Sequence, residues 1–136
     1  MNRSVVAVVG PTASGKYKPG EALPAGSRAT DDKGGAQMIE RFMRDEVLEP
    51  VQKLAPVADE MGLTMAQLAI AWVLQNDNVA AALVGASRPE QVSENVKAAG
   101  VQIPAELMSR IDEVLGDVVE RDPGKTVANS PQSRPT

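Results

Sequence analysis

The chain has 136 residues, with 14 Lys and Arg against 18 Asp and Glu, a formal net charge of −4, and neither His nor Cys. That length fits one domain, and the missing residue types exclude imidazole acid–base chemistry, thiolate nucleophiles and cysteine metal sites. The negative charge and the 2% aromatic content argue against nucleic acid as a partner. The apolar run at residues 5–9 is too short to span a membrane or to form a signal peptide, so we expect a cytoplasmic protein.

The first part of the chain predicts one strand, a long loop and two helices. The β-branched run at residues 4–9 is typical of a buried strand, and residues 12–35, rich in Gly, Pro, Ser and charge, indicate a loop. Pro50 is expected in a first helical turn, Pro56 to kink or split the second helix, and Gly62 to end it. The apolar positions with helical spacing are Ile39, Phe42, Met43 and Val47, then Val51, Leu54, Ala55 and Ala58.

The clearest helix start in the sequence is at Thr64. Thr64 and Gln67 have the spacing of a capping box. Leu63 and Leu68 are placed for a hydrophobic staple around that cap. Residues 65–75 are apolar on nearly every side, which predicts a helix buried in a core.

The second half predicts another strand and two amphipathic helices. Residues 79–84 form a short apolar run that is typical of a strand. One helix is expected from Pro89 to Gly100, and the last helix begins at Pro104. The predicted apolar faces are Val92, Val96 and Ala99 in the first, and Leu107, Ile111, Val114 and Leu115 in the second. The fold class is therefore α/β, mostly helical with about two short parallel strands, as in part of a larger layered structure.

A phosphate-binding motif follows the first predicted strand: Gly10-Pro11-Thr12-Ala13-Ser14-Gly15-Lys16. In a P-loop the backbone N–H groups turn onto phosphates and the Lys reaches the terminal ones. With its strand, this run resembles the start of bacterial tRNA dimethylallyltransferases. That resemblance implies ATP-type nucleotide binding by Gly10, Ser14, Gly15 and Lys16. However, Tyr17 stands where the motif has the Ser or Thr that binds magnesium.

A second motif covers residues 85–95, where the second predicted strand meets a helix start. Ser87 and Arg88 at a helix N-terminus suit a phosphate monoester, because the positive helix end and a planar guanidinium both attract it. Gln91, Glu94 and Asn95 lie about one turn further and could contact an adenine edge. Two structural alternatives remain open: Ser87-x-x-Glu90 is itself a capping-box pattern, and Gln91 and Glu94 could form a solvated helix face.

The same motif resembles the C-terminal signature of aldo-keto reductases, in the subgroup related to potassium-channel β subunits. Gly15-Lys16-Tyr17, Ala25-Gly26-Ser27-Arg28 and the run from Thr64 to Leu74 resemble other parts of that family, so the likeness covers about residues 15–120. It implies part of a (β/α)8 barrel that binds NADPH. The residues implied for the 2′-phosphate are Gly85, Ser87 and Arg88; for the adenosine, Gln91, Glu94 and Asn95; for the other phosphates, Lys16 and Arg28.

The resemblance also implies that catalysis is absent from this chain alone. The family's catalytic Tyr, Lys, Asp and His belong to another part of the barrel, so we expect neither catalytic residues nor a metal site here. We expect a strand with a P-loop-like segment at 1–16, a loop at 17–35, reductase-like helices and a barrel strand at 36–119, and a flexible tail at 120–136. We also expect self-association through exposed barrel surfaces. The sequence resembles a chimera joined at Gly15 and Lys16. A protein without any ligand is the remaining alternative.

Overall fold

The computed structural model describes residues 17–77, 79–122 and 124–125. These ranges contain α-helices and short 3-10 helices and no strand. The strand predicted at residues 4–9 lies outside them. The α-helices are α1 Gly35–Ile39, α2 Asp45–Gln52, α3 Ala55–Glu60, α4 Met65–Leu74, α5 Pro89–Val96 and α6 Ala105–Leu115. The 3-10 helices are Arg28–Thr30, Glu40–Phe42 and Gly116–Val118.

Helix α4 begins at the capping box predicted for it. The Gln67 N–H donates to Thr64 Oγ1 over 3.1 Å, and the Thr64 N–H donates to Gln67 Oε1 over 3.0 Å. These bonds satisfy donors that a helix start otherwise leaves open. Leu68 is buried, and Leu63 packs against the same core, as the staple pattern predicts. The prediction of a buried helix is therefore confirmed.

Pro50 and Pro56 occupy different positions in their helices. Pro56 is in the first turn of α3, and the helical pattern is split just before it, as predicted. Pro50 lies in the second half of α2, so the prediction of a first-turn position was wrong. Helix α2 instead begins with Asp45 and Glu46, whose carboxylates favour the positive end of a helix.

Gly62 ends α3 as predicted, through a Schellman motif. Gly62 has a φ of +65°, a conformation that residues with a Cβ rarely adopt. The Leu63 N–H donates to the Ala58 carbonyl over 2.9 Å, and the Gly62 N–H donates to the Asp59 carbonyl over 3.0 Å. This reversal brings α3 and α4 close together, so that both contribute to one core.

Two clusters of buried apolar side chains hold the described chain together. The larger cluster joins α3, α4 and α6. The smaller one joins Tyr17 to Ile39 of α1 and Leu48 of α2. In α6 the buried residues are Leu107, Ile111 and Leu115, with Val114 packed beside them, so the predicted face is confirmed. The members of the larger cluster are Leu54, Val57, Ala58, Leu68, Ile70, Ala71, Ala98, Ile103, Leu107, Ile111 and Leu115.

The strand predicted at residues 79–84 is not present. This segment is irregular through residue 86, and the Leu83 side chain is 99% exposed. A strand exists through hydrogen bonds to a neighbouring strand. The described ranges contain no strand that could pair with it, so the apolar run has no sheet to join.

The apolar face predicted for α5 is also not buried. Val92 and Val96 are 50% and 64% exposed, and Ala99 is exposed as well. Helix α5 buries none of its own residues. The buried residue in this part of the chain is Ala98, in the turn that follows α5. The face carrying Val92 and Val96 therefore has no covering layer within the described ranges.

Self-association through these exposed apolar side chains stays a prediction. We expect Leu83→Lys to weaken association about tenfold or more, because an ammonium would then have to be buried in the contact. Sedimentation velocity over a range of concentrations measures this. Leu23→Lys is the matched control, because Leu23 is also exposed, at 48%, but lies in the loop before α1. A wild-type chain that sediments as a monomer at every concentration would contradict the expectation.

The start of the predicted tail carries exposed charges that pair with α6 and with one another. Arg121 pairs with Asp112 of α6 over 2.9 Å, and within the tail Lys125 pairs with Glu120 over 3.0 Å. A hydrogen bond from the Asp122 N–H and the Lys125 ammonium lower the pKa of Glu120. Residues 126–136 of the tail lie outside the described ranges.

No single described helix is long and apolar enough to cross a membrane. The segments Asp45–Glu60 and Met65–Leu74 would meet that test only as a pair, by length and composition, and they are bent by 90°.

Candidate functional site

The turn before α5 is organised by one side-chain oxygen. Gln91 Oε1 accepts hydrogen bonds from the Ser87 N–H over 2.8 Å, the Ser87 hydroxyl over 3.2 Å and the Arg88 N–H over 3.2 Å. Three donors thus converge on one point at the N-terminal end of α5. Backbone and hydroxyl donors that converge at a positive helix end form the arrangement that binds a phosphate oxygen.

The structural alternative for Ser87 was a capping box with Glu90. The residue at the helix boundary is Arg88, and the side chain that closes the turn belongs to Gln91, three positions later. The capping pair expected from Ser87 and Glu90 is therefore not the one formed. Ser87 donates into the turn, so its hydroxyl lies among the converging donors.

Glu94, one turn beyond the start of α5, is held by two partners. Lys97 Nζ lies 2.6 Å from Glu94 Oε1, and Gln67 Nε2 lies 3.3 Å from Glu94 Oε2. Gln67 Nε2 also donates to the Glu94 main-chain oxygen over 2.8 Å. The pairing with Lys97 offsets a negative charge that would otherwise oppose an anionic ligand near α5.

The balance of charge at the start of α5 is mixed. Arg88 carries an exposed guanidinium at the helix boundary, whereas Glu90 adds a carboxylate within the first turn. A guanidinium can form two parallel bonds to a phosphate, whereas a carboxylate repels one. The start of α5 therefore carries one group that could contact an anion and one that would oppose it.

The structure places the predicted site residues in several parts of the chain. Ser87, Arg88 and Gln91 are brought together by hydrogen bonds, and Glu94 and Asn95 follow on the same short helix, with Asn95 half-buried. Gly85 is exposed in the irregular segment before them. The backbone of Arg28 belongs to the 3-10 helix Arg28–Thr30. The predictions that lie outside the described residues are Gly10, Ser14, Gly15, Lys16 and the Arg28 side chain.

Tyr17, which directly follows the predicted Lys16, is a buried anchor. It is 1% exposed, and its hydroxyl oxygen accepts a hydrogen bond from the Ala29 N–H over 3.4 Å. Its main-chain oxygen accepts from Gln52 Nε2 over 2.9 Å. The Tyr17 side chain therefore contacts the backbone of Ala29, the residue that follows Arg28.

A separate surface cleft lies in the first part of the described chain. Its volume is about 520 Å³, and Lys18, Glu21, Leu23 and Glu40 are among its lining residues. None of the described lining residues belongs to α5 or to the predicted cofactor set. In the part of the chain that the structure describes, no three carboxylates are grouped to hold a metal ion.

Sequence reasoning missed two residues of the site. Gln67 was predicted only as a cap of α4, and the structure shows that it also reaches α5. Lys97 was not predicted, although its spacing of three residues from Glu94 is a standard signal for a helical ion pair.

Comparison with known proteins shows the class to which this arrangement belongs. Residues 4–116 match the model of the aldo/keto reductase family. Similar proteins include one named probable voltage-gated potassium channel subunit beta from Arabidopsis thaliana, 44% identical over 88 residues, which are 65% of this chain and 26% of that protein. A putative subunit beta from Schizosaccharomyces pombe is 37% identical over 105 residues, which are 75% of this chain and 30% of that protein. A probable subunit beta from Oryza sativa is 37% identical over 113 residues, which are 83% of this chain and 33% of that protein.

The chain therefore belongs to the aldo/keto reductase family, and its relatives include proteins named as potassium-channel β subunits. It spans between 26% and 33% of the length of these relatives. A helical structure without strands in the described ranges is consistent with a fragment of a (β/α)8 barrel. The match begins at residue 4, earlier than the predicted residue 15, and so includes the P-loop-like segment. The comparisons give no support to a transferase part.

Proposed function

We propose that this chain carries the part of an aldo/keto reductase that binds the adenosine 2′-phosphate end of NADP(H). The observation that supports this most directly is the convergence of the Ser87 hydroxyl and the Ser87 and Arg88 N–H groups on one oxygen. That point lies at the N-terminal end of α5, beside the exposed Arg88 guanidinium.

The residues present fit such a phosphate. Gln91 Oε1 stands where a phosphate oxygen would receive the same donors, so a bound phosphate would replace it as their acceptor. The Gln91 side chain would then be released from the turn, and its amide nitrogen would be the group that donates to a ring nitrogen of adenine. Glu94 and Asn95, on the following turn, would contact the rest of the adenosine.

The bound cofactor would supply the hydride that reduces a carbonyl group in this family. The chain's own residues would bind and orient it. Arg88 would neutralise the 2′-phosphate, Ser87 would donate to it, and the turn closed by Gln91 would hold both in place before the ligand arrives. Lys16 and Arg28 would complete the binding of the other phosphates.

We further propose that these residues bind the cofactor without reducing a substrate on their own. The chain has no His and one Tyr. That residue, Tyr17, is 1% exposed, and its hydroxyl group faces the Ala29 N–H, so it is not available as a proton donor to a substrate. The catalytic groups of the full barrel would have to come from elsewhere.

Thermal unfolding in the presence of different nucleotides tests this proposal. A ligand at one hundred times its Kd adds about 2.7 kcal/mol to the stability of the folded chain. NADPH is expected to raise the melting temperature by several degrees, whereas ATP with magnesium should leave it unchanged. A shift with magnesium ATP alone, lost in Lys16→Ala, would instead support the P-loop. Melting that ignores every nucleotide would favour a protein without a ligand.

A further inference from the structure

Gln67 is a buried amide whose hydrogen bonds join two helices. It is 5% exposed, and its Nε2 donates to the Glu94 main-chain oxygen over 2.8 Å and to Glu94 Oε2 over 3.3 Å. Its Oε1 accepts from the Thr64 N–H over 3.0 Å. Both ends of the amide are thus used, and breaking either set of bonds would leave a buried polar group without a partner.

These bonds matter for α5 because this helix has little other attachment to the core. It buries none of its own side chains, and the nearest buried residue, Ala98, lies in the turn after its end. Helix α4, by contrast, is part of the larger core cluster. The Gln67 amide therefore attaches Glu94 of α5 to α4, which the core holds in place.

We propose that Gln67 is a positioning residue that sets the orientation of α5 for the adenosine of NADP(H). It acts through Glu94, whose main chain and carboxylate it both holds, and so it determines how Glu94 and the neighbouring Asn95 face the ligand. The inference rests on the proposed function, but it assigns a role to a residue that makes no contact with the cofactor in that proposal.

The variant Gln67→Glu tests this role with almost no change in shape. The carboxylate can still accept from the Thr64 N–H, but it replaces the Nε2 donor with an oxygen that faces two Glu94 oxygens. At pH 8, where the new carboxyl group is ionised, the two carboxylates repel each other. We expect the affinity for NADPH, measured by calorimetry, to fall about tenfold or more.

Gln75→Glu is the matched control, because Gln75 makes the same kind of network at the other end of α4. Its Nε2 donates to the Ala71 and Val101 carbonyls, each over 2.9 Å, and its Oε1 accepts from the Ile103 N–H over 3.1 Å. This variant is expected to lower the melting temperature but to bind NADPH with the wild-type affinity. The positioning role is overturned if Gln67→Glu binds like the wild type, or if Gln75→Glu weakens binding equally.

A measurement on the wild-type chain covers the case in which Gln67→Glu does not fold. On addition of NADPH, the NMR signals of the Gln67 side-chain amide should shift clearly, whereas those of Gln75 should not. Equal or smaller shifts at Gln67 would overturn the positioning role alone. A wild-type chain that does not bind NADPH in either experiment would overturn the proposed function, and with it this inference.

Discussion

Arg88→Ala should remove most of the preference for NADPH over NADH. Arg88 stands at the boundary of α5, exposed and next to the converging donors of Ser87. Charge-assisted bonds to a phosphate contribute about 1.5–3 kcal/mol, which corresponds to roughly a 10- to 100-fold loss in affinity for NADPH. NADH has no 2′-phosphate, so its affinity should change little. Calorimetric titration of both cofactors measures the two effects separately.

Two further variants make this result specific. Arg88→Lys keeps the positive charge but loses the planar pair of donors, so it should retain part of the preference for NADPH. Arg110→Ala removes an arginine from α6, where it pairs with Glu60 over 2.7 Å, and should leave the preference intact. If Arg88→Ala and Arg110→Ala lost the preference for NADPH equally, the preference would depend only on the net charge of the chain.

Leu68→Ala should cause a large loss of stability. Leu68 is 2% exposed and lies on α4 within the larger core cluster. Truncation of a buried leucine costs about 2–5 kcal/mol, because the lost contacts leave a cavity. Domains are stable by about 5–15 kcal/mol, so the variant is expected to be partly unfolded at moderate temperature. Urea unfolding followed by circular dichroism gives the difference in the free energy of unfolding between the variant and the wild type.

Leu83→Ala is the chemically identical control for that substitution. Leu83 is 99% exposed, so its truncation should change the free energy of unfolding by no more than about 0.5 kcal/mol. The comparison also tests the irregular structure of residues 79–86. If this segment were a strand buried in a sheet, truncation of Leu83 would lower the free energy of unfolding as much as truncation of Leu68. Equal losses in the two variants would therefore contradict the fold described for this segment.

The helices were predictable where their signals are local. The capping box of Thr64 and Gln67 and the Schellman end at Gly62 both depend on residues within a few positions of one another. Such patterns form whether or not the rest of the fold is present. Pro50 was expected in a first turn, but α2 begins at Asp45, because the carboxylates of Asp45 and Glu46 favour the positive end of a helix.

The strand at residues 79–84 and the buried face of α5 were not predictable in the same way. Both predictions assumed neighbours, since a strand needs a sheet and an apolar helix face needs a covering layer. The described ranges contain neither, and Leu83, Val92 and Val96 are exposed as a result. Periodicity indicates which residues are suited to burial, but it does not say whether the covering surface is present.

The position of the candidate site was predicted, but its internal bonds were not. The pattern placed Ser87 and Arg88 at a helix N-terminus, and the structure places them there. It did not predict that Gln91, expected to face adenine, closes the turn through its side-chain oxygen. Nor did it predict the bond from Gln67 to Glu94, because a contact across 27 positions depends on how α4 and α5 pack.

The most direct test of the proposed function is a pair of calorimetric titrations of the wild-type chain, one with NADPH and one with NADH. If Ser87 and Arg88 hold the adenosine 2′-phosphate, NADPH should bind at least about tenfold more tightly than NADH. Equal affinities for the two cofactors, or no binding of either, would contradict the assignment of the α5 N-terminus as a 2′-phosphate site.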